Sequence, residues 1–316
     1  MSPLKEFGKF PVQLFILFLT LLAYVLTQNL IFGILVAFEF VVFLGFEFSE
    51  GTKQHGLKHE IIDTVIALVF ALSLWLGLSL ALNTSSPLSA VVSCSMLPNL
   101  DRGDMVLIQG ATINSFEQNI SKSEIASLTS ENVVAYYANN LSSFAVKGSI
   151  YAYCSFNVNP VCLDFIKSPQ NFYEMHGDLR FNYKICEVNT ASGVQKQPCV
   201  SSASYKGTQI NFDNSRDIIV FQPAKEDIYA RSGDIIHRAQ IKLNENGKYY
   251  YLTKGDNNPV FDIQVYDYLN GAGNLPVEQS RVKGKTLIRV PYLGYFKLFL
   301  SGFFNSPAQC KTQLIN

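Results

Sequence analysis

The sequence predicts a membrane-anchored, mainly β protein, in which N-terminal transmembrane helices precede an external β-rich domain that carries a large insertion. Hydrophobic residues make up 48% of the 316-residue chain and charged residues only 16%, and most of this apolar excess lies in the first 83 residues. Beyond Pro87, short apolar and largely β-branched runs alternate with turn formers, which is typical of strands. The formal net charge is zero, so the composition gives no reason to expect a nucleic-acid partner.

The candidates for membrane-spanning helices are three apolar runs, at residues 12–26, 30–46 and 61–82. A hydrocarbon core of roughly 30 Å requires about 20 helical residues, a length that the third run meets and the first two only approach. Because only residues 27–29 separate the first two runs, we predict a helical hairpin and a cytoplasmic loop at 1–59 and a transmembrane helix at 60–84. The alternative is a cleaved signal peptide followed by buried core helices, but the first run lacks a clear small-residue cleavage site.

Basic residues in short flanking segments predict the orientation, because such segments tend to stay in the cytoplasm. Lys5 and Lys9 precede the first run, and Lys53 and Lys58 lie between the second and the third. Three spans then place everything after Leu82 on the extracytoplasmic side. The sequence therefore predicts an integral membrane protein with an external domain.

Cysteine positions agree with an oxidising compartment, in which disulfides persist. The predicted disulfides join two close pairs in the external region, Cys154 with Cys162 and Cys186 with Cys199. Free or buried thiols are the alternative, and a metal site is disfavoured because neither pair has the spacing of a zinc site. Cys94 and Cys310 have no obvious partner in the sequence.

The external region divides into a β-rich core and an insertion. The predicted core strands lie at residues 105–108, 217–221, 235–236, 249–252 and 286–290. They assign the core to residues 85–110 and 215–296. Residues 111–214 are rich in Asn, Ser and Tyr, hold four of the six cysteines, and are predicted to form a large insertion, or a second β-rich lobe, between the two parts of the core. Within 292–304 we predict a terminal strand that merges into a C-terminal membrane-surface segment at 297–316, because aromatic residues favour the headgroup level.

A hydroxyl nucleophile is the first candidate for chemistry, because Ser93 and Ser95 lie just beyond the third apolar run, on a turn that Pro98 stiffens. Serine is a poor nucleophile until a neighbouring base takes its proton. Of the four histidines, two lie in the predicted cytoplasmic loop and His176 lies in the insertion. By elimination His237 is the best candidate base, although a lone histidine on a strand is more often structural.

Five segments, in this order along the chain, resemble the sequence boxes of type I signal peptidases. They are Ser-Cys-Ser-Met-Leu-Pro at 93–98 with Arg-Gly-Asp at 102–104, Arg-Asp-Ile-Ile-Val-Phe at 216–221, Ile-His-Arg at 236–238, Leu-Thr-Lys-Gly-Asp-Asn-Asn at 252–258 with Asp262, and Pro-Tyr-Leu-Gly-Tyr at 291–295. The histidine at 237 resembles the archaeal and endoplasmic-reticulum branch, which uses Ser, His and Asp, whereas the bacterial branch has lysine there. The resemblance implies a signal-peptidase-like catalytic domain.

The resemblance also implies a role for each matching residue. Ser95 matches the nucleophile that forms the acyl-enzyme, and its backbone N–H together with the Ser93 hydroxyl matches the oxyanion hole. His237 matches the general base and Asp262 the carboxylate that orients it. Asp256 matches a second acidic position that shapes the site through hydrogen bonds.

The chain also departs from the family pattern. Cys94 stands where the family usually has glycine, and Phe261 precedes Asp262 where a pair of aspartates is common. Arg216 also replaces a glycine, and the long insertion is unusual. A Ser/Lys dyad that uses Lys254 or Lys147 is a variant within the same class.

The function implied by the resemblance is a membrane-bound serine endopeptidase that removes signal peptides from secretory preproteins without a metal or cofactor. Its partners would be signal peptides, the lipid bilayer and the secretion translocon, and nucleic acid is not expected. It would reside in an archaeal cell membrane, or in the endoplasmic reticulum with its catalytic domain in the lumen. The insertion and Cys94 motivate an alternative, a non-catalytic surface receptor or secretion-complex subunit built on a degenerate peptidase core.

Overall fold

The computed structural model describes residues 9–138 and 142–315, which form two compact units; Lys5 lies outside the described residues. The first unit contains the chain up to Val92, with Arg102–Leu107 and Arg289–Pro307. The second contains Ser93–Asp101, Ile108–Ile288 and the chain from Ala308 onward.

The described part of the chain contains seven α-helices and seventeen strands. The helices are α1 (Lys9–Thr27), α2 (Leu30–His55), α3 (Leu57–Ala81), α4 (Lys122–Leu128), α5 (Ile150–Phe156), α6 (Pro160–Lys167) and α7 (Gly294–Leu300). The strands are β1 (Leu88–Ala90), β2 (Met105–Gln109), β3 (Phe116–Asn119), β4 (Asn132–Tyr137), β5 (Ser143–Lys147), β6 (Phe172–His176), β7 (Leu179–Thr190), β8 (Gly193–Tyr205), β9 (Thr208–Ile210), β10 (Ile218–Phe221), β11 (Ile235–Glu245), β12 (Lys248–Lys254), β13 (Tyr266–Asp267), β14 (Ala272–Gly273), β15 (Val277–Glu278), β16 (Val282–Val290) and β17 (Gln313–Ile315).

Helices α1 to α3 form where the sequence has its three apolar runs. Two stretches, Leu30–Gln54 and Leu57–Ala81, are long and apolar enough to cross a membrane, whereas the apolar stretch of α1, Val12–Thr27, is shorter. Helix α3 buries none of its side chains although it is apolar on all sides, which is typical of a helix surrounded by lipid. The number of spans and their orientation stay predictions.

The prediction of a loop between the second and third apolar runs is wrong, because the structure has helix there. Helix α2 continues to His55 and α3 begins at Leu57, so that Gly56 alone separates them. Gly56 has a φ of +82°, a conformation that costs glycine little and ends α2 without a loop. Residues 47–55 are polar enough to predict a loop. However, Glu, Lys and Gln have high helix propensity, so the helix continues through them.

The predicted terminal strand within 292–304 is wrong, because this stretch contains a helix, whereas the membrane-surface segment at 297–316 stays a prediction. Gly294–Leu300 is helix α7, because Tyr295, Leu298 and Phe299 recur at helical spacing and bury one face. This face packs against Tyr24 of α1 and Val36 of α2 within the first unit. Strand β17 lies instead in the second unit, where it pairs with β7.

The second unit contains the sheet that carries the candidate site. Strands β16, β10, β11, β12 and β15 are neighbours in that order, and β3 pairs in parallel with β11. Strand β11 is much longer than the predicted 235–236, and its residues 236–243 are buried. The register places Ile219 opposite His237, and Ala239 opposite Thr253. The N-terminal part of β11 therefore lies beside the C-terminal part of β12.

The insertion supplies six strands of a seven-stranded sheet, in the order β5-β4-β6-β7-β8-β9, and β17 is the seventh, beside β7. Helices α4 to α6, which were not predicted, lie within the same segment. One hydrophobic cluster joins Phe181 of this sheet to Ile241 of β11 and to Phe261, whose ring centroid lies 5.2 Å from that of Phe181. The predicted lobe thus shares its core with the sheet of the site.

All six cysteines are paired. The structure brings Cys154 to Cys162 and Cys186 to Cys199, as the spacing predicts, with Cα–Cα distances of 5.0 and 5.9 Å. It also joins Cys94 to Cys310, which the sequence left without partners, at a Cα–Cα distance of 5.0 Å. These two cysteines are separated by 216 positions, so no local spacing indicates the bond.

Candidate active site

The nucleophile turn, residues 93–101, presents Ser95 from a tightly bonded loop. The amides of Asn99 and Leu100 both donate to the Met96 carbonyl, at 2.9 and 3.0 Å. Met96 anchors the turn because its side chain is almost fully buried. Ser95 is also buried, with 7% of its surface exposed, and the Ser93 hydroxyl lies 3.1 Å from its Oγ.

Ser95, His237 and Asp262 form one hydrogen-bonded chain. Nε2 of His237 lies 2.9 Å from Oγ of Ser95, and Nδ1 lies 2.7 Å from Oδ2 of Asp262. With the proton on Nδ1, the ring donates to the carboxylate and its Nε2 accepts from the serine hydroxyl. Such a chain can take a proton from the serine and stabilise the resulting imidazolium.

Three residues around this chain were missed by sequence reasoning. The Thr253 hydroxyl donates to Oδ2 of Asp262 at 2.6 Å, and Asn274 donates through Nδ2 to the Asp262 backbone carbonyl at 3.0 Å. The Tyr229 ring stands edge-on to the His237 ring, with centroids 6.3 Å apart. Burial, and then the negative charge of Asp262, raise the pKa of the Tyr229 phenol, so it stays neutral.

The insertion holds the short turn that carries Asp262. Gln264, which ends this turn, donates to Oε1 of Glu174 at 2.7 Å and accepts from the Phe261 amide at 2.9 Å. Its backbone carbonyl accepts from the Ser149 hydroxyl at 2.6 Å. His176 contacts the same Glu174 carboxylate at 2.9 Å, so this histidine belongs to the support of the turn. No sequence signal pointed to these contacts.

Asp256 is not part of the hydrogen-bonded Ser95–His237–Asp262 group, because its carboxylate contacts Arg238 and Asn99. Its two carboxylate oxygens accept from Nε and Nη2 of Arg238 at 2.8 and 2.7 Å, and Oδ2 also accepts from Asn99 at 2.7 Å. Both charged residues are buried. Asp256 therefore ties the nucleophile turn to β11 through a buried ion pair.

Replacing Asp256 with alanine is expected to lower the free energy of unfolding by about 3–5 kcal/mol, because the Arg238 guanidinium loses its buried partner. Chemical denaturation of the full-length protein measures the change. The double variant Asp256→Ala/Arg238→Met should recover part of the loss, since it leaves no unpaired charge. A double variant less stable than Asp256→Ala alone would contradict this account.

The two lysines of the Ser/Lys variant have other contacts. Among the described residues, the hydrogen-bond partners of Ser95 Oγ are His237 and Ser93. Nζ of Lys254 donates to the Gly255 carbonyl at 3.2 Å, and Lys147 lies on the surface beside Glu131. No group of three or more His, Cys, Asp or Glu side chains within 9–138 and 142–315 is placed to hold a metal ion.

Burial lowers the pKa of Lys254 from 10.5 to about 8. Between these values the unfolded chain binds more protons than the folded chain, so the free energy of unfolding should rise with pH in this window. Lys254→Met should raise the melting temperature at neutral pH and remove this rise. Thermal unfolding of both proteins across this pH window tests the prediction. A variant whose stability rises with pH as steeply as that of the wild type would contradict the lowered pKa of Lys254.

Comparisons with known proteins support a signal-peptidase-like relationship. No protein-family model matches the chain. The chain is 26% identical over 220 residues to an uncharacterized protein of Methanocaldococcus jannaschii, an alignment that covers 69% of this chain and 86% of that protein. It is 35% identical over 89 residues to the signal peptidase complex catalytic subunit of Candida tropicalis, which covers 27% of this chain and 46% of that subunit. The chain thus spans about half the length of the yeast subunit.

Proposed function

We propose that this protein is a membrane-bound serine endopeptidase of the Ser-His-Asp type, which removes signal peptides from secretory preproteins. The observation that carries the proposal is the chain from Ser95 Oγ through His237 to Asp262, with contacts of 2.9 and 2.7 Å. The partial similarity to a signal peptidase catalytic subunit supports the choice of substrate.

Acylation begins when the Ser95 oxygen attacks the scissile carbonyl while Nε2 of His237 takes the hydroxyl proton. Asp262 accepts from Nδ1 and stabilises the imidazolium. The imidazolium then protonates the leaving amine, which releases the mature protein. Water, activated by His237, hydrolyses the ester that joins Ser95 to the signal peptide.

The negative oxygen of the tetrahedral intermediate requires donors that are already in place. The Ser95 backbone N–H and the Ser93 hydroxyl are the proposed donors, since the Ser93 hydroxyl lies 3.1 Å from the Ser95 oxygen. A preorganised donor of this kind contributes roughly 3–4 kcal/mol to the transition state.

The membrane provides the substrate. Only residues 82–92 separate the end of α3 from the nucleophile turn, so a site tethered this closely can reach bonds near a bilayer surface. We propose that the second unit lies on the extracytoplasmic side, in an archaeal cell membrane or in the lumen of the endoplasmic reticulum. Signal peptides emerging from the lipid are the proposed partners, with delivery by the secretion translocon.

A non-catalytic role is not favoured, because the three groups needed for catalysis are in contact.

The test is cleavage of a secretory preprotein by the purified full-length protein in detergent or lipid vesicles. We expect one cut after small residues, and labelling of the protein by a serine-directed fluorophosphonate. The Ser95→Ala variant serves as the control and should lose both. Absence of both cleavage and labelling in the folded wild-type protein would contradict the proposal and favour the non-catalytic alternative.

A further inference from the structure

The C-terminal segment, residues 308–315, returns to the nucleophile turn within the second unit. Cys310 forms a disulfide with Cys94, the residue that directly precedes Ser95. A few residues later, β17 pairs antiparallel with β7, with Leu314 opposite Val188. The segment therefore connects the sheet of the insertion to the nucleophile turn.

Leu314 anchors this segment by burial. Its side chain is 6% exposed and clusters with Val188 and with the disulfide between Cys186 and Cys199. The anchor lies on the insertion sheet, so the covalent bond at Cys310 transmits the position of that sheet to the turn.

Asn257 completes the connection, because one side chain contacts both the turn and the C-terminal segment. Its Nδ2 donates to the carbonyls of Cys94 and Thr312 at 3.0 and 2.9 Å, and its Oδ1 accepts from the Leu314 amide at 2.6 Å. Its backbone amide donates to the Ser95 carbonyl at 2.7 Å. Three of these four bonds use the side chain, so both hydrogens of the side-chain amide and its oxygen are satisfied.

These contacts fix the peptide group whose N–H is proposed to bind the oxyanion. The Cys94 carbonyl and the Ser95 N–H belong to one planar peptide group and point in opposite directions. A donor that holds the carbonyl therefore also sets the direction of the N–H. The disulfide restrains the same group through the Cys94 side chain, and the bond to the Ser95 carbonyl restrains the next peptide group.

We propose that Asn257 and the C-terminal segment, through the Cys94–Cys310 disulfide, form a clamp that aims the Ser95 N–H at the oxyanion. This role rests on the proposed function. Asn257 is a positioning residue, because it acts on the reacting atoms through the peptide group that it holds. The clamp also assigns a function to the insertion, since the insertion sheet holds Leu314 and β17.

Two variants release the clamp in different ways. Asn257→Asp keeps the acceptor for the Leu314 amide but places an oxygen where the two carbonyls need a donor. Cys94→Ala/Cys310→Ala removes the covalent bond and leaves Asn257 unchanged. The matched control is Cys154→Ala/Cys162→Ala, which removes the disulfide between α5 and α6 of the insertion and leaves Cys94, Cys310 and Asn257 unchanged.

We expect both clamp variants to lower kcat on a preprotein by up to about 100-fold, because small misplacements of reacting groups have effects of this size. KM should change little, since the interaction lost is one made in the transition state. The shape of the pH profile of kcat/KM should stay that of the wild type, since the contacts of His237 with Ser95 and Asp262 are retained. The control variant should keep the wild-type kcat.

Amide hydrogen exchange tests the clamp without relying on activity. Exchange at residues 93–97 should become faster in both clamp variants and stay unchanged in the control, at temperatures where all variants are folded. Unchanged exchange and an unchanged kcat in both clamp variants would overturn the inference. A wild-type protein that cleaves nothing contradicts the proposed function, and the exchange measurement then still decides whether the clamp holds the turn.

Discussion

Replacing His237 with alanine is expected to lower kcat for preprotein cleavage on the order of 10⁶-fold, the size of effect that follows loss of a triad base. The reason is local, because Nε2 of this ring is the nitrogen within 2.9 Å of the Ser95 oxygen. Without it the serine keeps its proton. Single-turnover cleavage measures the loss, since it separates chemistry from product release.

The controls separate this role from the other basic residues. His59→Ala changes an exposed histidine that lies beside Asp63 on α3, and it should keep the wild-type kcat. Lys254→Met and Lys147→Ala should also cleave, since the Lys254 ammonium donates to the Gly255 carbonyl and the Lys147 ammonium to Glu131. Cleavage retained by His237→Ala and lost in Lys254→Met would assign the reaction to a Ser/Lys dyad instead.

Ser95→Ala/His237→Ala provides a further check. Groups that act as one unit are not additive, so the double variant should be no slower than the slower single variant. A double variant that loses the product of both effects would show that the two residues act independently, against the hydrogen-bonded chain.

The sequence predicted the elements whose signal is local. Apolar runs predicted the N-terminal helices, and short apolar runs predicted β2, β10 and β12 close to their observed bounds and the C-terminal half of β16. Strand β11 was mostly missed because Arg238 and Lys242 hide its apolar pattern. Both side chains are buried beside a carboxylate, Arg238 beside Asp256 and Lys242 beside Glu117, at 2.7 Å in each case. A partner distant along the chain makes such burial possible, and no local pattern indicates it.

Some missed elements did carry a signal. Helix α5 follows Ser149, and α6 follows Asn159 and begins with Pro160; in both helices the cap side chain accepts from a first-turn amide. An N-cap residue with proline at the next position is a recognised start of a helix. The short length of these helices, seven and eight residues, left too few turns for an apolar stripe to show.

The residues of the candidate site also divide into those that the sequence predicted and those that it did not. Ser95, His237 and Asp262 were found because each lies in a segment that resembles a family box, and the structure brings them into contact. Thr253 and Asn274 were missed because a threonine on a strand and an asparagine in a turn are ordinary there. The Cys94–Cys310 bond was missed because connectivity does not follow from sequence alone.

Replacing Asp262 with asparagine is expected to lower kcat by about 10⁴-fold while the nucleophile and base stay in place. The carboxylate accepts from both Nδ1 of His237 and the Thr253 hydroxyl through Oδ2. If the new amide presents its nitrogen to the ring, Nδ1 must become the acceptor and the proton moves to Nε2, which can no longer accept from Ser95. If it presents its oxygen, the NH₂ group occupies the place of Oδ1, which has no hydrogen-bond partner among the described residues. Either orientation also removes the negative charge that stabilises the imidazolium.

The matched control is Thr253→Val, which removes the second donor to Oδ2 but leaves the carboxylate and its bond to His237. A hydrogen bond to a charged group contributes about 1.5–3 kcal/mol, so kcat should fall by roughly 10- to 100-fold, well short of the asparagine variant. Single-turnover rates on one preprotein compare the two, and the melting temperature of each variant shows whether the fold is retained. An asparagine variant as active as Thr253→Val would mean that the charge of Asp262 contributes little, and that His237 is oriented by the surrounding packing, including the Tyr229 ring, instead.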